Sequence, residues 1–207
     1  GINYHQSGGY GTVSGIQLRG LPKRYSTVYI DGVKLSDPST PSNDYYFNNL
    51  VINSLQSVEV LKGAQTSLYG SGAIAGTVNI FSKKGKEGHN QNINLSSGSW
   101  GTRNLNVSLD GKKNNYDYYL GLTNFFTDGE SAMNDNDEKD KYRNNGITAN
   151  MGYDINDILR IENYITYIDS YLEYDEVTSG RVDSNSTDDQ QAAYSGRLIV
   201  NNGKLKN

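Results

Sequence analysis

The sequence contains no cysteine and only two histidines, His5 and His89, which lie far apart along the chain. Without cysteine, a disulfide framework, a thiolate zinc site and a thiol nucleophile are all excluded. Two distant histidines also argue against a hydrolase triad or a multi-histidine metal site. The net charge is -4 and no basic run extends beyond Ser82–Lys84, which argues against a nucleic-acid-binding protein.

Long apolar runs are missing as well. No segment approaches the roughly 18 apolar residues that a membrane-spanning helix needs, and no signal peptide is visible at Gly1. The 207 residues suit one or two domains. Tyrosine, in contrast, is abundant, with 17 Tyr against 4 Phe and 1 Trp. Because tyrosine joins an apolar ring to a polar hydroxyl, it suits membrane interfaces and sugar-binding clefts equally.

Residues 57–85 contain the clearest local pattern in the chain. Two apolar runs, Val58–Leu61 and Thr77–Phe81, alternate with polar residues and predict half-buried strands on either side of a Gly-rich segment. The spacing of Gly70, Gly72 and Gly76 misses that of a dinucleotide-binding loop, and no Gly-Lys-Ser/Thr follows. These residues therefore favour a compact structural turn over a phosphate-binding loop.

The same segment closely resembles the end of the plug domain of TonB-dependent outer-membrane receptors. The matching motifs occur in the family's order and are Leu18-Arg19-Gly20, Val28–Val33, Val58–Gly63, Ser67–Gly70, Ala73–Gly76 and Val78–Ile80. The resemblance implies that residues 1–85 are an α+β plug domain, truncated at its N-terminus. It also implies a scaffold role for a set of plug residues, namely Arg19, Gly20, Asp31, Gly32, Gly63, Tyr69, Gly70 and Gly76. We expect Arg19 to pair with an acidic group in the plug or the barrel wall, and the glycines to have positive φ or tight contacts. Asp31-Gly32, between two short apolar runs, is expected to form a hairpin turn.

After Gly85 the pattern changes to segments of about ten residues in which apolar and polar residues alternate. The connections between them also alternate in length. The predicted strands are Gln91–Ser97, 104–110, Tyr116–Phe126, 147–154, 159–167 and 194–200. The short connections are Gly98–Gly101, Gly111–Asn115 and Asp154–Asp157, and the long acidic ones are Asp128–Arg143 and Glu173–Gln190. Transmembrane β-barrels show this arrangement, with short periplasmic turns and longer extracellular loops.

A soluble β-sandwich also alternates, so the pattern alone leaves both architectures open. In a barrel, Arg160 and Glu162 must face a polar lumen, because Arg near the middle of the lipid costs about 2–4 kcal/mol. Together with the plug resemblance, the pattern predicts a mainly β protein in which an antiparallel transmembrane β-barrel follows the plug. Barrels with a filled lumen have about 22 strands. We therefore expect residues 86–207 to be the first six or so strands of a larger barrel, truncated at the C-terminus.

The resemblance implies an outer-membrane transporter rather than an enzyme, without a catalytic cofactor. Its ligand would be taken up with energy from the TonB–ExbB–ExbD complex, which would contact a segment N-terminal to Gly1. The region after the plug looks most like the cobalamin-type receptors of the family, and a ferric-siderophore ligand stays an alternative. A surface module that binds glycans or mediates adhesion is the alternative from another class.

The family's apical plug loops correspond to Leu21–Ser26 and Ser36–Asn49 of this sequence. The resemblance implies that these loops contact the ligand, through Lys23, Arg24, Tyr25, Asn43, Tyr45, Tyr46 and Phe47. A loop of this composition is also typical of a solvated surface segment. Residues Leu50–Leu55 are expected to form a single helical turn.

The acidic loops suggest a calcium site. Asp135-Asn136-Asp137 offers closely spaced oxygen atoms of the kind that calcium prefers, although the spacing is not that of an EF-hand. A solvated acidic loop balanced by its own lysines is the simpler interpretation. Cobalamin-type receptors use calcium to order their outer loops, and this resemblance implies Asp135, Asp137 and Asp169 as ligands, with Asp128 and Asp175 as further candidates.

Overall fold

A computed structural model describes residues 1–37, 40–42, 44–131, 139–178 and 181–201, with side chains throughout except at 176–178 and 181–183. In these ranges the chain is mainly β, with one short helix, α1 (Thr66–Tyr69), and two 3₁₀ turns, Lys23–Tyr25 and Ile52–Ser54. None of the described helices is long and apolar enough to cross a membrane. The strands are β1 (Ile2–Gln6), β2 (Ser14–Leu18), β3 (Ser26–Ile30), β4 (Val33–Leu35), β5 (Leu55–Lys62), β6 (Gly76–Ser82), β7 (Gly88–Ser97), β8 (Arg103–Lys113), β9 (Tyr116–Thr127), β10 (Tyr142–Asp154), β11 (Leu159–Thr178) and β12 (Arg181–Val200).

Strands β7 to β12 form a single antiparallel sheet, which we call the wall, and their order in the sheet is their order in the chain. Each strand therefore pairs with its neighbour through a direct hairpin connection. In the middle of the wall, Ile147 on β10 lies opposite Leu122 on β9 and Tyr167 on β11. This is the up-and-down arrangement that the alternating sequence predicts.

The two faces of the wall have the opposite polarity to those of a soluble sheet. On β11, Glu162, Thr166 and Ser170 are buried, whereas Ile165 and Tyr167 between them are more than 40% exposed. Strand β10 repeats the pattern, with a buried polar face and an exposed apolar one. A sheet that hides polar side chains and exposes apolar ones is suited to lipid on its outer side and to a filled lumen on its inner side.

The buried face of the wall is covered by residues 1–82. Their main sheet has the order β4-β3-β6-β5, in which β3 and β6 are parallel and β5 and β6 antiparallel. Its core contains Leu18, Val28, Ile30, Val78 and Ile80, all less than 7% exposed. Tyr164, from the inner face of β11, belongs to the same cluster. The plug and the wall therefore share one continuous core.

Asp31 and Gly32 form the two-residue turn between β3 and β4. Both have positive φ, 45° and 84°, as the tight hairpin predicted from the sequence requires. The buried carboxylate of Asp31 accepts a hydrogen bond from the backbone N–H of Ser82 at 3.3 Å. The side-chain hydroxyl of Ser195 on β12 donates to the backbone carbonyl of Asp31, also at 3.3 Å. One turn thus joins the end of the plug sheet to the wall.

The two runs that flank the Gly-rich segment pair directly with each other as β5 and β6. At Gly76 a side chain is impossible, because a Cβ would collide with the carbonyl oxygen of Leu61 on the partner strand. Gly20, Gly63 and Gly70 have positive φ, as expected for this turn-rich segment. These glycines are therefore needed for the conformation and close approach of the backbone.

One expectation about secondary structure was wrong. The segment Glu173–Gln190, expected to be a long acidic loop, is mostly paired strand, with Glu173 opposite Ser186 and Asp175 opposite Ser184. Antiparallel pairing there is set by backbone hydrogen bonds, which acidic side chains do not prevent. Strand β1 pairs with β2, although every one of its side chains is exposed. The described ends of Asp128–Arg143 do connect β9 and β10, and the loop's centre lies outside the described residues.

The plug loops and the exit of the plug lie at opposite ends of the wall. Asn48 and Asn49 contact Tyr142, the first residue of β10. Lys84 follows the plug sheet and contacts Glu162, near the turn that joins β10 to β11. If the chain leaves the plug on the periplasmic side, the connection between β9 and β10 lies outside the cell, as the sequence predicts.

Candidate ligand-binding face and plug–wall contacts

The first apical loop places two basic side chains beside aromatic rings. Pro22 has a φ of -53° and precedes the 3₁₀ turn that holds Lys23 and Arg24. The Lys23 Nζ atom lies 3.7 Å from the centre of the Tyr46 ring. The Arg24 guanidinium lies 5.2 Å from the centre of the Tyr25 ring. Cation–π contacts of this length hold the basic groups in place at partly exposed sites.

Two aromatic residues of the second apical loop, Tyr45 and Phe47, pack inward. The rings of Tyr45 and Phe47 meet edge to face at 5.1 Å, and both pack against the plug core. Burial and the negative charge of Asp189 raise the pKa of the Tyr45 hydroxyl far above its ordinary value. The hydroxyl therefore stays protonated at any physiological pH. Tyr45 and Phe47 thus anchor the loop, and Tyr46 contacts Lys23 on the outside.

A cavity of about 320 Å³, here called the apical cavity, opens between the β1–β2 hairpin and the two loops. Its described lining is polar and comprises His5, Gly15, Gln17, Pro22, Lys23, Arg24, Ser42 and Asp44. Of the predicted ligand contacts, Lys23 and Arg24 line it, whereas Tyr25, Tyr45, Tyr46 and Phe47 do not. Asn43 lies outside the described residues. The cavity offers two cations, an amide, an imidazole and a hydroxyl beside the carboxylate of Asp44, so its donors outnumber its single anion and suit a ligand rich in oxygen acceptors.

No local sequence pattern predicted His5, Gln17 and Asp44 as lining residues. His5 and Gln17 reach the cavity because β1 pairs with β2, placing His5 opposite Gly15. Asp44 lies within the second apical loop, Ser36–Asn49. One of its carboxylate oxygens, Oδ1, is buried without a hydrogen-bond partner among the described residues.

Asn49 fixes the second loop to the wall. Its side-chain amide donates to the Asp189 carboxylate at 2.7 Å, and its Oδ1 atom accepts from the Tyr142 hydroxyl at 3.1 Å. The Asn144 amide donates to the Asn49 carbonyl at 3.2 Å. Asn49 is 3% exposed, so removal of its side-chain amide would cost the Asp189 carboxylate and the Tyr142 hydroxyl one hydrogen bond each in a largely dry environment. The loop is therefore held by a buried polar junction.

A second, ionic junction lies at the other end of the plug. Glu162, 4% exposed, accepts from Lys84 at 2.6 Å, from Arg160 at 2.9 Å and from Arg197 at 2.9 Å. Arg160 also pairs with Asp117 and with Asp154. A buried carboxylate needs such partners, because an unpaired charge in this position costs several kcal/mol, on the order of 3–5. Arg160 and Glu162 face the interior, as predicted.

The ion pair expected for Arg19 stays a prediction. None of the ion pairs between described side chains involves Arg19, which is exposed and lies beside Gly63. Its φ of 58° is unusual for a residue with a side chain. Tyr69 behaves as a scaffold residue would, since its hydroxyl accepts from Asn79 at 3.2 Å and its carbonyl accepts from Tyr29 at 3.0 Å.

The candidate calcium ligands are only partly described. Asp135 and Asp137 lie outside the described residues. Asp128 pairs with Lys139 at 3.6 Å, and Asp169 pairs with Arg143 at 3.2 Å. One Asp175 oxygen accepts from Ser131, and the other is buried without a partner in the described part of the chain. The described side chains include no group of three or more acidic or histidine residues that could hold a metal ion.

Comparisons of the sequence and of the fold with known proteins agree with one another. Residues 1–77 match the family model described as the TonB-dependent Receptor Plug Domain. The chain is 27% identical over 173 residues to the vitamin B12 transporter BtuB of Photobacterium profundum. That alignment covers 82% of this chain and 28% of the relative, so the chain spans less than a third of the relative's length.

Solved structures show the same fold at lower sequence identity. The copper transporter OprC superimposes with a TM-score of 0.74 and 18% identity, over 97% of this chain and 30% of that one. The ferric yersiniabactin uptake receptor FyuA from Yersinia pestis gives a TM-score of 0.66 at 19% identity, over 94% of this chain and 34% of that one. These likenesses confirm the arrangement of a plug followed by barrel strands.

The apical cavity can be tested by removing its cations. We expect the double substitution Lys23→Ala/Arg24→Ala to weaken ligand binding tenfold or more, since a hydrogen bond to a charged group contributes about 1.5–3 kcal/mol. Lys34→Ala, which removes an exposed cation from β4, is the matched control and should bind like the parent. Equilibrium binding to the purified receptor measures both, and equal affinities of parent and double variant would contradict the assignment.

Proposed function

Since the chain is an outer-membrane protein of the TonB-dependent receptor type, with the plug domain of that family at residues 1–77, we propose that it takes up a scarce small molecule by active transport. The observation that carries the proposal is the polar inner face of the wall, which is covered by the plug. A plug inside a transmembrane wall blocks free diffusion, so passage requires energy to move it. The soluble adhesion module considered as an alternative does not explain the exposed apolar face of the wall.

In the proposed mechanism, the ligand binds from outside at the apical cavity. The TonB–ExbB–ExbD complex then transmits the proton-motive force to a segment that precedes Gly1, and no residue of this chain is assigned to that contact. The relatives are transporters and receptors, and we assign no catalytic role to any side chain. The residues of this chain bind, orient and enclose the ligand.

We propose cobalamin as the ligand, supported by the sequence similarity to the vitamin B12 transporter BtuB. A ferric siderophore is the second candidate, because Lys23 and Arg24 both line the apical cavity and would suit an anionic chelate. The similarity of the fold to FyuA is compatible with this second candidate. The two ligands differ in charge and size, so they can be separated by binding.

A binding panel tests the substrate proposal directly. Purified receptor is titrated with cobalamin and with catecholate, hydroxamate and mixed-ligand ferric chelates. In parallel, cells are given each compound as their only source of cobalamin or of iron. We expect cobalamin to bind at least a hundredfold more tightly than any ferric chelate. Tighter binding of one ferric chelate would transfer the assignment to iron uptake, and binding of neither class would contradict both.

We further propose that calcium orders the outer acidic loop. Asp175 is compatible with a cation site, because it has a buried carboxylate oxygen that lacks a hydrogen-bond partner among the described residues. Calcium takes six to eight oxygen ligands, and the segment around Asp135 and Asp137 is rich in them. Without a counter-ion, the clustered negative charges would repel one another.

The calcium proposal predicts that EGTA weakens ligand binding tenfold or more in the parent and that added calcium restores it. The double variant Asp135→Ala/Asp137→Ala should bind weakly with or without calcium. Glu59→Ala, on the exposed surface of β5, is the control and should keep the calcium dependence of the parent. Binding by the parent that is insensitive to EGTA would contradict the proposal.

A further inference from the structure

A second cavity, of about 130 Å³, lies between the plug and the wall. On the plug side it is bounded by the 3₁₀ turn Ile52–Ser54, and on the wall side by β7 to β10. We call this region the seam. Its described lining is Val51, Asn53, Ser54, Lys83, Asn92, Asn94, Asn106, Val107, Ser108, Tyr119, Gly121, Leu122, Thr123 and Thr148. The volume equals that of about four water molecules at 30 Å³ each.

The contacts across the seam are few and uncharged. The Asn53 amide donates to the Asn106 side chain at 2.6 Å, and the Tyr119 hydroxyl donates to the Asn53 carbonyl at a long 3.4 Å. Neutral hydrogen bonds of this kind contribute only about 0.5–1.5 kcal/mol each, and water can replace them. The plug can therefore leave this part of the wall at low cost.

The opposite side of the plug is held more strongly. There Lys84 joins the ionic junction of Glu162, Arg160 and Arg197, which is largely shielded from water. Lys83 and Lys84 are adjacent in sequence, yet one lines the seam and the other binds the junction. Among the described residues the plug is thus attached unequally, by charges toward β11 and β12 and by neutral contacts toward β7 to β9, which are the amide of Asn53 at the seam and the ring of Tyr10 against Phe125 at the apical end of β9.

Polar side chains continue from the seam along the inner face of the wall. The alternation places Asn90, Asn92, Asn94 and Ser96 on the inner face of β7, with Asn106 opposite Asn94 on β8. Six residues of strand span about 20 Å at 3.3–3.4 Å per residue. An amide-lined strip therefore leads from the outer end of β7 toward the inner end.

We propose that the plug separates from the wall along the seam and that the transported solute crosses the membrane there. The inference rests on the proposed transport function and adds the route. Amides can donate to and accept from a passing solute, and Lys83 is the single charged residue of the described lining. The route therefore favours solutes that present oxygen acceptors, neutral or anionic, over cations.

Two cross-links distinguish this route from removal of the whole plug. The chain has no cysteine, so introduced pairs can be bridged selectively with a short thiosulfonate reagent that reductant removes. Asn53→Cys/Asn106→Cys closes the seam. Lys84→Cys/Arg197→Cys fixes the ionic junction, where both positions are partly exposed and Arg160 remains to pair with Glu162.

In energised cells that carry the intact receptor, we expect the bridged seam pair to bind radiolabelled cobalamin, or the ferric chelate that the binding panel selects, like the parent. Its uptake of the same compound should fall at least tenfold and recover on reduction. The bridged junction pair should take up ligand at the rate of its unbridged form. A block by both bridges would show that the plug leaves as a unit, and a block by neither would place the route elsewhere. Either result overturns the inference.

A pair of bulky substitutions checks the route without cross-linking. Ser108→Trp fills the seam from the inner face of β8, whereas Leu105→Trp adds bulk on the outer face of the same strand, at a position that is 37% exposed and does not line the seam. We expect only Ser108→Trp to lower uptake, with binding retained. Energy-independent uptake by the parent would contradict the proposed function itself. Energy-dependent uptake that Ser108→Trp leaves unchanged would contradict the route alone.

Discussion

The rest of the structure depends on the requirement that a sheet in lipid expose apolar side chains and leave no backbone group unpaired. Side chains alternate along a strand, and behind the apolar outer face the buried face of β9 to β11 carries mostly polar residues, together with Tyr164 and Ile168. The polar residues cannot be left in a dry space without partners. The plug meets this need, since Asn49, Ser82 and Lys84 hydrogen-bond to Tyr142, Asn150 and Glu162 on the wall.

The distribution of these contacts suggests how a tightly seated plug can still move. Charged groups are concentrated around Glu162, and Asn49 forms a buried junction at the apical end. The contact of Asn53 with Asn106 is neutral and borders a cavity. We therefore assign the stability of the seated plug to the charged and buried contacts, and its movement to the seam. The ligand face at Lys23 and Arg24 belongs to the same plug and would move with its loops.

Local patterns predicted most of the strands, the turn at Asp31 and Gly32, and the single helical turn at Ile52–Ser54, because each has a signature within a few residues. The paired extension Glu173–Gln190 was missed, since its acidic composition is typical of a loop and pairing is a property of two segments. The contact of Asn49 with Asp189 joins residues 140 positions apart. No local pattern signals such a contact, and the same holds for Lys84 and Glu162.

The central claim is that β11 separates lipid from the plug, and side-chain accessibility along this strand tests it most directly. Single nitroxide labels at positions 161 to 168, in receptor reconstituted into bilayers, are measured for collisions with oxygen and with a water-soluble nickel complex. The account predicts a period of two, in which positions 161, 165 and 167 collide with oxygen and positions 162, 164, 166 and 168 with neither reagent. Collisions with the nickel complex at the odd positions would contradict it.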